Sequence, residues 1–130
     1  AAGDIDTAKI LLTHADGTYT TIDNSREAAY GYDQRVEAFG SKGAALSDNV
    51  TEHNATLWTK PGSSGARIAD FFIQRYTEAY RAEWLAFAKY VEQGGESPVS
   101  IEAGRKPVVI ALAAMQSMKE NRPVAVGSIK

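Results

Sequence analysis

The sequence predicts an α+β domain, an open and mostly antiparallel sheet with two helices packed on one face and the other face free for oligomer or domain contacts. Three observations predict it. Residues 6–59 hold short strand-like runs broken by turn residues, and residues 70–118 hold apolar side chains recurring three or four apart. The strand-like runs are joined by links too short for parallel crossovers. Strands followed by helices is the chain order of an α+β domain, and 130 residues suit one domain spanning the whole chain, residues 1–130.

The first strand is TAKILLTH, rich in branched apolar residues, and it ends at Ala15-Asp16-Gly17. Asp-Gly between two strand-like runs is a hairpin signal, because these residues tolerate the positive φ that tight turns need. TYTTID returns, dense in the Thr and Tyr that suit a half-buried pleated surface. The stretch YGYDQRVEAFGSKG (Tyr30–Gly43) continues as a third strand, turning at Gly40-Ser41-Lys42-Gly43 into AALSDN, and ATLWT makes a fifth. Lys60 to Gly65 reads as a loop.

The period then becomes helical. Phe72, Tyr76, Ala79, Tyr80, Trp84, Phe87, Ala88 and Val91 form one broad aromatic stripe, with Asp70 as N-cap and Gly94 as the stop. A second helix starts behind Ser100, with Ile101, Val108, Leu112, Met115 and Met118 on its apolar face. Both stripes are expected to be core. Pro107 costs about 3 kcal/mol in a helix interior and predicts a kink or a later start. The final RPVAVGSIK reads as an edge strand.

Composition narrows the function. A net charge of -2 gives no reason to expect nucleic acid or an anionic membrane as partner. With Cys 0, disulfides, thiolate catalysis and Cys-based metal sites are excluded, which leans toward the reducing cytoplasm. No apolar run approaches the roughly 18 residues of a membrane helix, and the N-terminal AAGDIDTA lacks the basic and apolar regions of a signal peptide.

Motif-like features carry little chemistry. His14 and His53 lack a helical carboxylate or His partner and are expected at turns or on the surface. Asn49-Val50-Thr51 and Asn54-Ala55-Thr56 match the glycosylation sequon by chance. Gly40-Ser41-Lys42-Gly43 lacks the spacing of a phosphate loop. No carboxylate dyad, Ser/His pair or metal-ligand cluster emerges, so no catalytic or metal-binding residue is assigned.

The run Ile22–Asn49, IDNSREAAYGYDQRVEAFGSKGAALSDN, closely resembles the C-terminal domain of the inositol 2-dehydrogenase branch of the Gfo/Idh/MocA oxidoreductases. The resemblance continues through the Phe71–Ala88 helix, SIEAGRKPVVIALAAMQS and the terminal RPVAV. It implies an N-terminal Rossmann domain of the same polypeptide that binds NAD or NADP, and a C-terminal domain that completes a polyol site of the inositol class. It implies that the open sheet face builds a homo-oligomer, commonly a tetramer.

Proton transfer in the family uses a lysine of a Glu-Lys-Pro motif and an Asp-x-x-x-His pair. Neither is found here in its context, and no G-x-G-x-x-G follows a strand. Thr59-Lys60-Pro61 mimics the lysine motif but lies in the sheet half, so Lys60 is rejected as catalytic. The chain therefore reads as an excised C-terminal domain, inert alone, with no cofactor site of its own. By the same resemblance Tyr30 is the first candidate to reach a substrate hydroxyl, with Gly31 allowing close backbone approach or a bulge. Tyr32, Arg26 and Asn24 are weaker candidates, and Tyr32, Asp33, Gln34 and Arg35 compete as cross-strand or subunit contacts. The alternatives are a related sugar dehydrogenase domain and a free-standing, non-enzymatic assembly module.

Overall fold

The computed structural model describes residues 4–129 of the chain. Six strands precede two long helices, as the change of period predicts: β1 Thr7–Thr13, β2 Tyr19–Ser25, β3 Val36–Gly40, β4 Gly43–Ser47, β5 Thr56–Thr59, β6 Gly62–Gly65, α1 Phe72–Gln93 and α2 Ile101–Glu120. The class is α+β with open pairing. Among the described residues the strands pair as three two-stranded units, β1 with β2, β3 with β4 and β5 with β6.

Each hairpin forms where its turn chemistry asks for one. At the β1–β2 end Gly17 takes φ 85 and Asp16 accepts from the Thr18 amide and hydroxyl at 3.0 and 2.7 Å. These bonds, the Thr18 amide first, hold the Asp16 carboxyl below its usual value. The β3–β4 hairpin turns at Ser41-Lys42 with Gly40 opposite Gly43, as expected. Residues 60–65 depart from the expected loop: Gly62–Gly65 is strand β6, paired with β5 across a Lys60-Pro61 turn. Small residues with no apolar alternation hid it, because backbone pairing to β5 rather than side-chain burial makes this strand.

The described residues form two compact units, one with the residues up to Lys9 and Ile22–Arg81, the other with Ile10–Thr21 and the residues from Ala82 on. In the first unit, residues 26–35 are not a continuation of a strand; they form an irregular connection from β2 to β3. Gly31 at φ 128 lets this loop press on the segment before α1, and a Cβ there would lie 2.7 Å from Ile68 Cγ1 and 2.9 Å from the Ala69 oxygen. The Tyr32 amide donates to that oxygen at 2.7 Å.

The helix ends follow local rules with one correction. Asp70 is not the cap of α1, because its carboxylate pairs with Arg67 at 2.9 Å, and Gln74 reaches back to accept from the Asp70 and Phe71 amides. Gly94 ends α1 at φ 65, its amide donating to the Tyr90 oxygen. Ser100 caps α2 by accepting from the Ala103 amide. The start is therefore not delayed by Pro107, which sits inside the helix and leaves the Ala103 carbonyl without its usual donor.

The expected edge strand after α2 is not formed in the described residues; Lys130 lies outside them. Asn121 terminates the helix in the left-handed region, and Val126–Ser128 is a 3-10 turn. Pro123 has no N–H for a ladder, and Ser128 closes the turn by donating from Oγ and N to the Ala125 oxygen.

The stripes expected to be core are largely exposed. The buried apolar side chains among the described residues are Val109 and Ala113 of α2, while Ile101 (87% exposed), Val108, Leu112, Met115 and Met118 face outward. On α1, Phe72 and Tyr76 are half-buried, but Tyr80, Trp84 (70% exposed), Phe87 and Val91 are open. The hairpins are open too, with Phe39 86% and Trp58 80% exposed. Helical period reports which side chains seek a partner, not whether these residues contain it.

Candidate functional site

The polar centre of the first unit is Asp33, in the connection between β2 and β3. The Tyr30 hydroxyl donates to its Oδ2 at 2.6 Å, and Arg35 donates from Nε to Oδ1 and from a terminal nitrogen to Oδ2, both at 2.8 Å. Asn49, just past β4, donates from Nδ2 to Oδ1 at 2.6 Å. Four bonds match the roughly four lone-pair positions of a carboxylate, and the Arg35 contact is the two-pronged form that fixes orientation. The Asp33 side chain is 14% accessible.

Asn49 reaches this centre because of strand register. With Val36 opposite Ser47, extending the β3–β4 ladder by two residues puts Gln34 opposite Asn49. There the Asn49 side chain replaces the ladder, its Oδ1 accepting from the Gln34 amide at 2.8 Å. One amide thus ties the loop backbone and the Asp33 carboxylate together.

Electrostatics follow from these bonds. Arg35, then Tyr30 and Asn49, hold the Asp33 carboxyl well below the usual carboxylate range. The bond to Asp33 pushes the Tyr30 phenol above its ordinary value of 10.0. Both shifts act away from neutrality, so Asp33 stays a carboxylate and Tyr30 a protonated phenol around pH 7.

Of the candidate residues, the structure makes Tyr30 part of this cluster, with the residue 61% exposed. Tyr32 points elsewhere, its ring 6.5 Å from Phe72 and 6.0 Å edge-on from Tyr76. That contact half-buries it and anchors the loop on α1. Burial, followed by Tyr32, pushes the Tyr76 phenol up. Arg26 extends the β1–β2 ladder, its amide donating to the Asp6 oxygen at 2.9 Å, and Asn24 lies on β2. Neither is among the hydrogen-bonded partners of Asp33 in the described residues.

Sequence reasoning missed Asp33 and Asn49 as a pair. The Tyr30, Asp33, Arg35 spacing carried a readable signal, since positions two and three apart in a tight loop can meet. Asn49 stood out in the sequence only as a sequon. The histidines have local roles: His14 Nε2 bonds the Thr20 hydroxyl at 2.8 Å, and His53 Nδ1 accepts from the Ala55 amide at 3.2 Å. Lys60 sits in the β5–β6 turn. No group of three or more His, Asp or Glu side chains is arranged to hold a metal among the described residues.

In the second unit, a cleft of about 810 Å³ is lined by Glu83, Trp84, Phe87, Tyr90, Pro98 and Val99. Its walls are mostly apolar, with few donors for a polyhydroxylated ligand. No described helix is long and apolar enough to cross a membrane.

Residues 1–126 match the family model described as the oxidoreductase family, C-terminal alpha/beta domain, of the Gfo/Idh/MocA group. The chain belongs to this family. It is 44% identical over 123 residues to the myo-inositol 2-dehydrogenase of Thermotoga maritima, covering 95% of this chain and 37% of that protein. It is 39% identical over 125 residues to the inositol 2-dehydrogenase of Rhizobium meliloti, covering 96% of this chain and 38% of that protein. The solved structure of a probable dehydrogenase from Thermotoga maritima superimposes with a TM-score of 0.93 at 42% identity, covering 99% of this chain and 39% of that one. The chain thus spans little more than a third of the length of these relatives. The α+β domain described here is thus a C-terminal alpha/beta domain of this family, and the Asp33 cluster lies within it.

Proposed function

We propose that this chain is the C-terminal part of an NAD(P)-dependent, inositol 2-dehydrogenase-like enzyme, where it completes the polyol site and a subunit interface. The observation that carries the reading is the 44% identity, over 95% of the chain, to a relative named myo-inositol 2-dehydrogenase. In this reading an N-terminal Rossmann domain of the same polypeptide holds the dinucleotide, which accepts a hydride from the substrate carbon, and supplies the base. The residues of this chain bind and orient. Tyr30, exposed and fixed by Asp33, is the first choice to meet a substrate hydroxyl, with Tyr32, Arg26 and Asn24 behind it.

Open hairpin surfaces such as Phe39 and Leu46, which share one face of the β3–β4 pair, are the surface offered to a homo-oligomer, a tetramer in the full-length enzyme. The absence of cysteine fits work in the cytoplasm. The test is NAD and NADP reduction by the full-length protein with myo-inositol, scyllo-inositol and a panel of sugars, beside the 130-residue chain alone. Turnover of an inositol by the full-length protein and none by the fragment is the expected result. A preference for a sugar would move the protein to a related sugar dehydrogenase, and a gene encoding only this chain would favour a free-standing assembly module.

A further inference from the structure

We propose that Asp33 is a positioning residue that makes Tyr30 a hydrogen-bond acceptor toward the ligand, so that the site selects a hydroxyl and rejects an ether at the contacted position. The proposal rests on the reading of Tyr30 as substrate-facing. A phenol has one O–H, and that of Tyr30 is directed at Asp33 Oδ2 over 2.6 Å. What remains for a ligand is the lone-pair side of the phenolic oxygen. Asp33 is not free to turn away, because Arg35 grips both its oxygens and Asn49 a third position, while Asn49 is itself held by the Gln34 amide. A ligand hydroxyl can donate to such an acceptor, whereas a methyl ether oxygen has no proton to give. Sites built around one directed bond reject a partner lacking the matching group strongly.

The experiment uses the full-length protein with its dinucleotide, myo-inositol and a set of mono-O-methyl inositols, and the variants Tyr30→Phe, Asp33→Asn and their combination. Tyr30→Phe is expected to raise KM for myo-inositol about tenfold with a smaller change in kcat, the scale of one lost hydrogen bond. Asp33→Asn is expected to raise KM about threefold or more alone, by the same scale. In the Tyr30→Phe background it should have no further effect. Because an amide can donate to the phenol and free its proton, Asp33→Asn should also raise the relative kcat/KM of one methyl ether over myo-inositol, a change that loosened folding would not produce. Additive effects of the two substitutions, or unchanged ether discrimination in Asp33→Asn, overturn the role of Asp33 while leaving Tyr30 in place. A Tyr30→Phe enzyme with unchanged KM overturns the substrate-facing reading and the proposal with it. Should Asp33→Asn fail to fold, Arg35→Gln, which loosens the carboxylate without removing it, replaces it in the cycle with the same non-additivity expected.

Discussion

Around Asp33 the carboxylate and the groups that meet it are paired with one another, whereas along α1 the side chains of Tyr80, Trp84, Phe87 and Val91 stand exposed. The two regions are both unusual surfaces, one polar and one apolar. A polar cluster can be completed by a few single side chains, since each bond needs one atom at the right distance. An apolar stripe is completed only by an opposing surface of comparable area, which a helix cannot supply to itself. The cluster is completed within this chain, by Tyr30 and Arg35 nearby and Asn49 across the β3–β4 register. Among the described residues the stripe is not, so the cluster reports on this chain while the stripe reports on what surrounds it.

That contrast is broken or sharpened by four substitutions and conditions, all applied to the full-length protein. The largest effect is expected from Trp84→Ala. Trp84 is 70% exposed in these residues taken alone. If the rest of the polypeptide or a second subunit covers the stripe, truncation costs about 3–5 kcal/mol by chemical denaturation. A cost within about 0.5 kcal/mol, typical of surface sites, would show that the stripe faces water.

Gly31→Ala comes next, at about 2–3 kcal/mol, because φ 128 is strained for a side chain and the new Cβ meets Ile68 and the Ala69 oxygen. A neutral result in a thermal melt would mean that the loop does not press on the segment before α1.

Smaller still is the response to pH. Asp33 is depressed below 3.8, so its contribution is complete above that value and is lost only as pH falls below it toward the folded value. Tyr30 is raised above 10.0, so its contribution is complete below 10.0 and is lost as pH rises through the higher folded value. The ratio of KM for the wild type and Tyr30→Phe should therefore stay flat between about pH 4 and 10. A step near neutrality would place a different titrating group beside Tyr30.

The smallest effect is expected at the exposed Lys9–Asp23 pair, 3.0 Å apart across β1 and β2. Lys9→Ala should change stability by less than about 0.5 kcal/mol in the same denaturation assay.

Local chemistry was legible in the sequence: the Asp16-Gly17 and Ser41-Lys42 turns, the Ser100 cap and the Gly94 stop all form where residue type demands. Less legible were β6, made of Gly and Ser and held mainly by backbone pairing, and the segment after Asn121, where branched residues suggested a strand but Pro123 and Ser128 favour a tight turn. At the site, Tyr30 and Gly31 could be singled out from the YGYD run. Their packing could not, because Gly31 is pressed against Ile68 and Ala69, some 37 residues away in sequence.

The sequence by itself determined the order of strands and helices, the turns and caps, and membership of an oxidoreductase family, since all of these are written in residue types at short range or in a long run of matched positions. Only the tertiary structure decided that Asp33, and not a tyrosine, is the centre of the polar cluster. Register carried Asn49 to it across 16 residues, and hydrogen bonds with a reach of about 3 Å depend on where the backbone goes rather than on which residues are near in the chain.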